Sequence, residues 1–205
     1  MADPLTTLTS LPMPLIRDNI DTDQIIPSRE MKSTGKTGLA DGLFAGWRYT
    51  EIGGREPNRD FVMNDPVFAD SQIILGGENF GSGSSREHAV WALAEYGFRA
   101  VIAPSFAPIF AGNCVRNGIL PAVLDAADIA AIDQSHLPIT INLSEQRISI
   151  DEKQSWSFPI DEEAKAMLME GLDSIDLSLK MADDIAAWQA ADRAARPWIY
   201  LGANK

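Results

Sequence analysis

Residues that bind metal ions are scarce in this chain. Its 205 residues include one cysteine, Cys114, and two histidines, His88 and His136, which lie far apart. Protein metal sites draw several cysteine or histidine ligands from short, regular spacings, and no such spacing occurs here. We therefore expect no metal bound by this chain, and we expect Cys114 to be buried in a helix and inert.

The chain also has few positively charged residues and no long apolar run. Lysine and arginine total 17 against 29 acidic residues, a formal net charge of −12. This balance argues against a nucleic-acid partner and against an anionic membrane surface. No uninterrupted apolar run approaches the roughly 20 residues of a membrane span. The first sixteen residues lack a basic start and contain three prolines, unlike a secretory signal. We expect a cytoplasmic protein with one domain over residues 1–205.

The most informative stretch that is present runs from Gly77 to Leu93. It follows a short apolar run at 73–75 and leads into a helical pattern that ends at Gly97. Its glycines allow close backbone approach and leave N–H groups available for an anion, and Arg86 lies in the same turn. The pattern predicts a strand, an anion-binding loop and a helix start, where a carboxylate or phosphate would be stabilised.

Three known anion-binding or nucleophile loops do not fit this stretch. A dinucleotide fingerprint needs a small third residue where Arg86 stands. A P-loop needs a Gly-Lys pair, and no lysine lies between Lys36 and Lys153. A hydrolase elbow needs a glycine two places after its serine, which none of the three serines has. The loop is therefore an anion site of another kind.

Ser84 has two interpretations. With Glu87 three places on, it could form a capping box at the helix start. It could also be a serine base, because a helix N-terminus and Arg86 would both stabilise its alkoxide. His88 is either a relay or a hydrogen-bonded wall residue, and a wall residue is the commoner case in a first helical turn.

An acidic cluster, Asp18, Asp21 and Asp23, precedes Ile25 and Ile26. The glycine and glutamate that a calcium-binding EF-hand loop requires are missing from the corresponding positions. The pattern favours a turn whose Asp side chains cap backbone groups, followed by a strand.

Residues 30–60 contain six glycines among scattered apolar side chains and show no clear period. So long a loop in a compact domain is usually a lid or a binding loop. We expect a mobile substrate loop, in which apolar residues either touch the substrate or pack the loop onto its own domain. The candidates are Met31, Leu39, Leu43 and Phe44.

After the central helix the chain alternates strands and helices. The pattern predicts strands at 100–103 and 119–124, helices at 106–117 and 126–134, and a hairpin over 139–151. Short links between such units indicate an α/β fold with a mostly parallel central sheet. A capped helix should end at Gly171, and residues 180–205 should form an amphipathic helix and an apolar tail.

Three segments, in the same order, carry a resemblance to a known family. They are GENFGSGSSREHAVWAL from Gly77, DNIDTDQIIPSR at 18–29 and APSFAPIFAGNCVRNGILP at 103–121. Together they resemble the small subunits of bacterial 3-isopropylmalate dehydratases in the aconitase superfamily, and the likeness runs from about residue 16 to about residue 187. The resemblance implies a swivelling β/β/α domain. It also implies a hydro-lyase that isomerises 2-isopropylmalate and 3-isopropylmalate through isopropylmaleate in leucine biosynthesis.

The resemblance further implies a [4Fe–4S] cluster and a set of site residues. Because such a cluster needs three or four thiolates and Cys114 is alone, we expect it on a large-subunit partner. The residues with implied catalytic roles are Ser84 as base, Arg86 as carboxylate ligand and Asp23 as the residue that orders the loop. The residues expected to bind the dicarboxylate substrate are Arg29, Gly83, Ser85 and His88.

Two alternatives remain open at this point. The same motifs would suit a dehydratase for citraconate or another substituted malate, with differences in the loop at 30–47. In a non-catalytic anion-binding module, Ser84 would be only a cap and Arg86 only a surface ion pair.

Overall fold

The computed structural model describes residues 3–31 and 35–200, which form two four-stranded sheets with helices around them. In chain order the strands are β1 (Thr7–Ser10), β2 (Pro12–Leu15), β3 (Ile73–Gly76), β4 (Ala100–Ala103), β5 (Leu120–Val123), β6 (Ile139–Asn142), β7 (Arg147–Ser149) and β8 (Ser155–Ser157). Strands β2, β3, β4 and β5 form one sheet in that order, with every pair parallel. Strands β1, β6, β7 and β8 form a separate antiparallel sheet.

Helices join the parallel strands and cover the domain. They are α1 (Thr22–Ile25), α2 (Ala45–Arg48), α3 (Glu87–Tyr96), α4 (Pro108–Arg116), α5 (Ala126–Ser135), α6 (Glu162–Glu170), α7 (Ser174–Leu179) and α8 (Ala182–Ala195). Helix α3 connects β3 to β4, and α4 connects β4 to β5, as parallel neighbours require. The predicted alternation of strands and helices and the predicted parallel sheet are confirmed.

The parallel sheet separates two apolar cores. On one face Ile74 and Val101 pack with α3, α4 and the segment around Phe44. On the other face Ile73 and Ile102 pack against the antiparallel sheet and α5. Since successive strand residues point to opposite faces, an unbroken apolar strand serves both cores. The layers are therefore sheet, sheet and helices, and the predicted β/β/α arrangement is confirmed.

The acidic cluster precedes a helix instead of the predicted strand. Asp21 accepts a hydrogen bond from the backbone N–H of Gln24, and the Gln24 side chain accepts one from the Asp21 N–H. This capping box starts α1, which places Ile25 in a helix with its side chain fully buried. Strands β1 and β2 were not predicted either, because prolines interrupt that stretch. Pro12 and Pro14 are tolerated because β2 is an edge strand.

The segment 30–60 packs closely onto the domain over its described part. Leu39, Leu43 and Phe44 are fully buried in the core shared with α3, so the prediction that they touch substrate is wrong and the packing interpretation is confirmed. Met31 is half-buried against the same core. The Glu95 carboxylate accepts hydrogen bonds from three successive backbone N–H groups, those of residues 38, 39 and 40. Mobility of this segment stays a prediction.

The C-terminal region forms the predicted helix, but the helix does not lie on the domain. Every residue of α8 except half-buried Asp192 is exposed, including Ile185 and Trp188 of the predicted apolar stripe. A 3₁₀ turn (Pro197–Tyr200) follows α8, and Leu201 of the predicted tail lies outside the described residues. Among the described residues, no helix has both the length and the apolar character needed to cross a membrane.

Candidate active site

Two loops meet at the carboxyl end of the parallel sheet. One follows β2 and contains the acidic cluster, and the other follows β3 and contains the glycine–serine stretch. Strands β2 and β3 are neighbours, so their loops leave the sheet at the same edge. In open α/β sheets, ligands bind in a crevice outside the carboxyl ends of the strands.

Hydrogen bonds hold the two loops against each other. The Asp18 carboxylate accepts from the backbone N–H of Glu78 at 2.8 Å. Thr22 donates its backbone N–H to the carbonyl of Ser82 at 2.9 Å, and its hydroxyl donates to the carbonyl of Ser84 at 3.1 Å. Residues about sixty positions apart in sequence therefore form one rigid platform.

Glycine is required twice in this platform. Gly81 has a φ of +77°, and a Cβ there would overlap the ring of Phe110. Gly83 has a φ of +91°, and a Cβ there would lie 3.3 Å from the Cβ of Asp21. Both positions combine a left-handed backbone with close packing, which explains why the stretch is rich in glycine.

Asp23 and Arg86 are brought together across the two loops. The Arg86 guanidinium donates through Nη1 to Oδ1 of Asp23, and the hydroxyl of Ser28 donates to the same oxygen at 3.2 Å. The hydrogen bond from Arg86 lowers the pKa of Asp23 below its ordinary value. Asp23 therefore remains ionised at neutral pH and keeps Arg86 in place. The Arg86 side chain is still 27% exposed, so a ligand can reach it.

Ser84 does not cap the helix. Helix α3 starts at Glu87, with Arg86 in the N-cap position and no capping side chain. Glu87 is therefore the first helical residue, whereas a capping box with Ser84 would need it to be the third. The capping-box interpretation of Ser84 is wrong. Ser84 is exposed and lies two residues before the N-cap residue of α3.

The backbone amides of this loop provide further donors. Among the described residues, none accepts a hydrogen bond from the amides of Gly83, Ser84 or Ser85. The Arg86 amide is different, because it donates to the carbonyl of Ser84 at 2.7 Å. The amides of residues 83–85 are therefore available to an anion and the amide of Arg86 is not, and anion binding by this loop stays a prediction.

A cavity of about 190 Å³ opens onto these groups. Its polar side includes Thr22, Ser84, Ser85, Arg86 and Asn113, and its apolar side includes Ala107, Pro108, Ile109 and Phe110. The start of α4 therefore forms half of the site. The sequence analysis did not identify Thr22, Ile109 or Asn113 as site residues. A signal was available, because β4 is parallel to β3 and its following loop must reach the same edge.

Two predicted binding residues, Arg29 and His88, do not line this cavity. Arg29 has its Nε 3.5 Å from the carboxylate of Glu30, which also accepts from Arg55. The His88 ring packs on Trp91 with 4.7 Å between ring centroids, as a wall residue would. Substrate contacts by Arg29 and His88 stay predictions.

The described residues include no group of three or more His, Cys, Asp or Glu side chains that could hold a metal ion. Cys114 lies in α4 and is fully buried, and burial raises the pKa of its thiol. A buried, protonated thiol is a poor metal ligand, so the residues of this chain do not fit an iron–sulfur cluster.

Comparisons with known proteins identify the family of this chain. Residues 2–127 match the model of the aconitase C-terminal domain. The chain is 49% identical to the 3-isopropylmalate dehydratase small subunit of Cupriavidus necator, over 97% of this chain and 99% of the relative. It is 44% identical to the corresponding small subunit of Magnetococcus marinus, over 95% and 97%. The fold is similar to a solved 3-isopropylmalate dehydratase from Methanocaldococcus jannaschii, with a TM-score of 0.65 and 27% identity over 89% of this chain and 99% of that one. The chain belongs to the family of 3-isopropylmalate dehydratase small subunits.

Proposed function

We propose that this chain is the small subunit of a two-chain hydro-lyase that interconverts 2-isopropylmalate and 3-isopropylmalate through isopropylmaleate, in the cytoplasm. The observation that carries the proposal is the placement of Ser84 beside the Asp23–Arg86 pair, at the uncapped start of α3. Membership of the family supports the substrate class, and the geometry supports the proposed roles of the residues.

Arg86 would bind one carboxylate of the substrate. A guanidinium has five N–H donors in a planar fork, and Asp23 takes one of them through Nη1. The remaining donors and the amides of residues 83–85 point positive charge at the same cavity. This local charge is needed because the chain as a whole carries −12 and the substrate is a dianion.

Ser84 would move the proton. Its oxygen takes the proton from the carbon next to the bound carboxylate, and the electrons of that C–H bond form the alkene as the hydroxyl leaves the neighbouring carbon. The N-terminus of α3 and Arg86 both stabilise the serine alkoxide that this step requires. Water is then added back to the alkene with the hydroxyl on the other carbon, and Ser84 returns the proton to the carbon that the hydroxyl left.

Assistance to the leaving hydroxyl must come from a second chain. A [4Fe–4S] cluster on the large subunit would supply a Lewis acid for that hydroxyl. This chain cannot hold such a cluster, because its single thiol is buried in α4. The exposure of Ser84 fits a site that a partner covers and closes to bulk water.

The apolar side of the cavity would receive the isopropyl group. Ile109 lines it and is 58% exposed, at the first turn of α4. A smaller substituent, such as the methyl group of citraconate, would leave part of this surface uncovered. The structure therefore favours the branched substrate over the smaller one, by the roughly 1–3 kcal/mol that a missing carbon group is worth in an apolar pocket.

The test is anaerobic dehydration of 3-isopropylmalate, followed as appearance of the alkene. The chain is assayed alone and after mixing with the cluster-loaded large subunit, with citraconate hydration as a parallel reaction. We expect activity in the mixture only, and a higher kcat/KM for isopropylmalate. Higher kcat/KM for citraconate would move the assignment to another substituted malate. Inactivity of a loaded mixture toward both would overturn the catalytic assignment.

A further inference from the structure

The last part of the described chain exposes an unusual amount of apolar surface. We name residues 174–200, which contain α7, α8 and the final 3₁₀ turn, the C-terminal arm. Leu177 is half-buried, but seven other large apolar side chains are more than two-fifths exposed: Ile175, Leu179, Met181, Ile185, Trp188, Trp198 and Ile199. Exposed apolar side chains are ordinary when scattered, but seven of them within one short arm are typical of an interaction site.

Along α8 and its N-cap residue, three of these side chains form one stripe. Met181, Ile185 and Trp188 are spaced by four and then three positions, so they lie on the same face. Two acidic residues lie on or beside that face: Asp184, and Asp192, which pairs with Arg196 and accepts a hydrogen bond from the hydroxyl of Tyr200 at 2.6 Å. The stripe is therefore apolar at Met181, Ile185 and Trp188, with Asp184 at its edge and the charge of Asp192 paired.

The arm is also ordered before any partner arrives. Asp173 starts α7 with a capping box that includes Asp176, and Lys180 pairs with Glu170 of α6. The ring of Tyr200 lies under the guanidinium of Arg193, which holds the 3₁₀ turn onto α8. A preformed surface loses less conformational entropy on binding, so the arm is suited to a lasting contact.

The base of the arm is linked to the candidate active site through one cleft and one hydrogen bond. Asp173 lines a cleft of about 390 Å³ together with Lys36 and Asn117. The Asn117 amide donates to the carboxylate of Glu87 at 2.8 Å, and Glu87 is the residue after Arg86. The residue before the arm is therefore connected, through this cleft and this hydrogen bond, to the residue next to Arg86.

Charge and family membership decide which partner fits. The described arm carries four acidic and three basic residues, and the whole chain carries −12, so a second copy would be repelled. Relatives named as small subunits align over 97% and 95% of this chain, which includes most of the arm. We propose that the C-terminal arm docks into an apolar groove with a basic rim on the large subunit. The proposal rests on the proposed function only in taking the large subunit as partner.

The experiment measures the affinity of purified, cluster-loaded large subunit for variants of the full chain. The double variant Ile185→Ala, Trp188→Ala removes the stripe while keeping residues that favour a helix. The control, Asp183→Asn with Ala187→Gln, changes the opposite face of α8. We expect Kd to rise about tenfold or more for the stripe variant and to stay unchanged for the control. At saturating large subunit, both variants should show the wild-type kcat, because the arm does not line the cavity.

Each other outcome is informative. Equal Kd for the wild type and the stripe variant would overturn the arm proposal and leave the proposed function intact. A wild-type complex that forms but does not turn over isopropylmalate would refute the function and not the arm. If sedimentation of the chain alone shows a dimer that the stripe variant abolishes, a second copy covers the arm and the proposal is wrong.

Discussion

Arg86 donates a hydrogen bond to Asp23 from sixty-three positions further along the chain. The two residues lie on loops that follow adjacent parallel strands, so their pairing depends on the β2–β3 register. Ser84 lies two residues before Arg86 and is tied to the same loop by Thr22. Any change that breaks the pair should therefore act on catalysis by misplacing the guanidinium.

The first prediction concerns Asp23→Asn. The neutral amide holds Arg86 less firmly, so kcat/KM for isopropylmalate should fall about 10- to 100-fold, as misplacement of a binding group does. Asp70→Asn, an exposed aspartate away from the site, should leave kcat/KM unchanged. Equal values for wild type and Asp23→Asn in steady-state kinetics would show that the pair does not position Arg86.

The same variant has a pH signature. Arg86 lowers the pKa of Asp23, so the folded state binds this proton less tightly than the unfolded state. The pair therefore stabilises the fold above the ordinary Asp pKa of 3.8, and this contribution is lost as pH falls through the lowered value. Chemical unfolding across that acidic window should show a weaker pH dependence for Asp23→Asn than for the wild type. Parallel curves would contradict the pairing.

The second prediction concerns Ser84→Ala. Since Ser84 caps no helix, its loss should leave the melting temperature nearly unchanged. Turnover by the reconstituted enzyme should drop by about 10²- to 10⁴-fold, the usual contribution of a general base. The matched control is Ser157→Ala, an exposed serine on β8. A variant that keeps full turnover would remove Ser84 from the mechanism.

The third prediction concerns Gly81→Ala. The new Cβ would overlap Phe110, and the backbone φ of +77° is unfavourable for alanine. The free energy of unfolding should fall by about 1–3 kcal/mol, with a melting temperature lower by several degrees. Gly46→Ala is the control, because nothing lies within 4 Å of an added Cβ and the residue is helical. Calorimetry that ranks the two variants equally would contradict the close packing of the loop.

The fourth prediction concerns Ile109→Ala. Shortening this side chain removes apolar contact with the isopropyl group, so kcat/KM for isopropylmalate should fall roughly 10-fold while that for citraconate changes little. Val67→Ala, another exposed apolar residue that does not line the cavity, should change neither. Equal losses for both substrates would mean that Ile109 acts on the fold and not on specificity.

Local patterns in the sequence determined many of the secondary-structure elements of this protein. The strand–loop–helix around residues 73–97, the α4 and β5 units and the hairpin of β6 and β7 were all predictable, because their signals are apolar periodicity and glycine stops. Gly81 and Gly83 also belong here, since a left-handed backbone selects glycine locally. The residue types of the site, serine, arginine and aspartate, were visible for the same reason.

Tertiary structure decided what these residues do. The parallel register brings Asp23 to Arg86 and adds Ile109 and Asn113 to the cavity. Helix α3 starts after Arg86, so Ser84 lies outside the helix that its motif predicted it would cap. Leu39, Leu43 and Phe44 read as loop residues in sequence but are buried, because their packing partners lie on α3 and α4. Periodicity in the sequence indicates the face of a helix or strand on which a residue lies. The residues that pack against this face depend on contacts between distant parts of the chain.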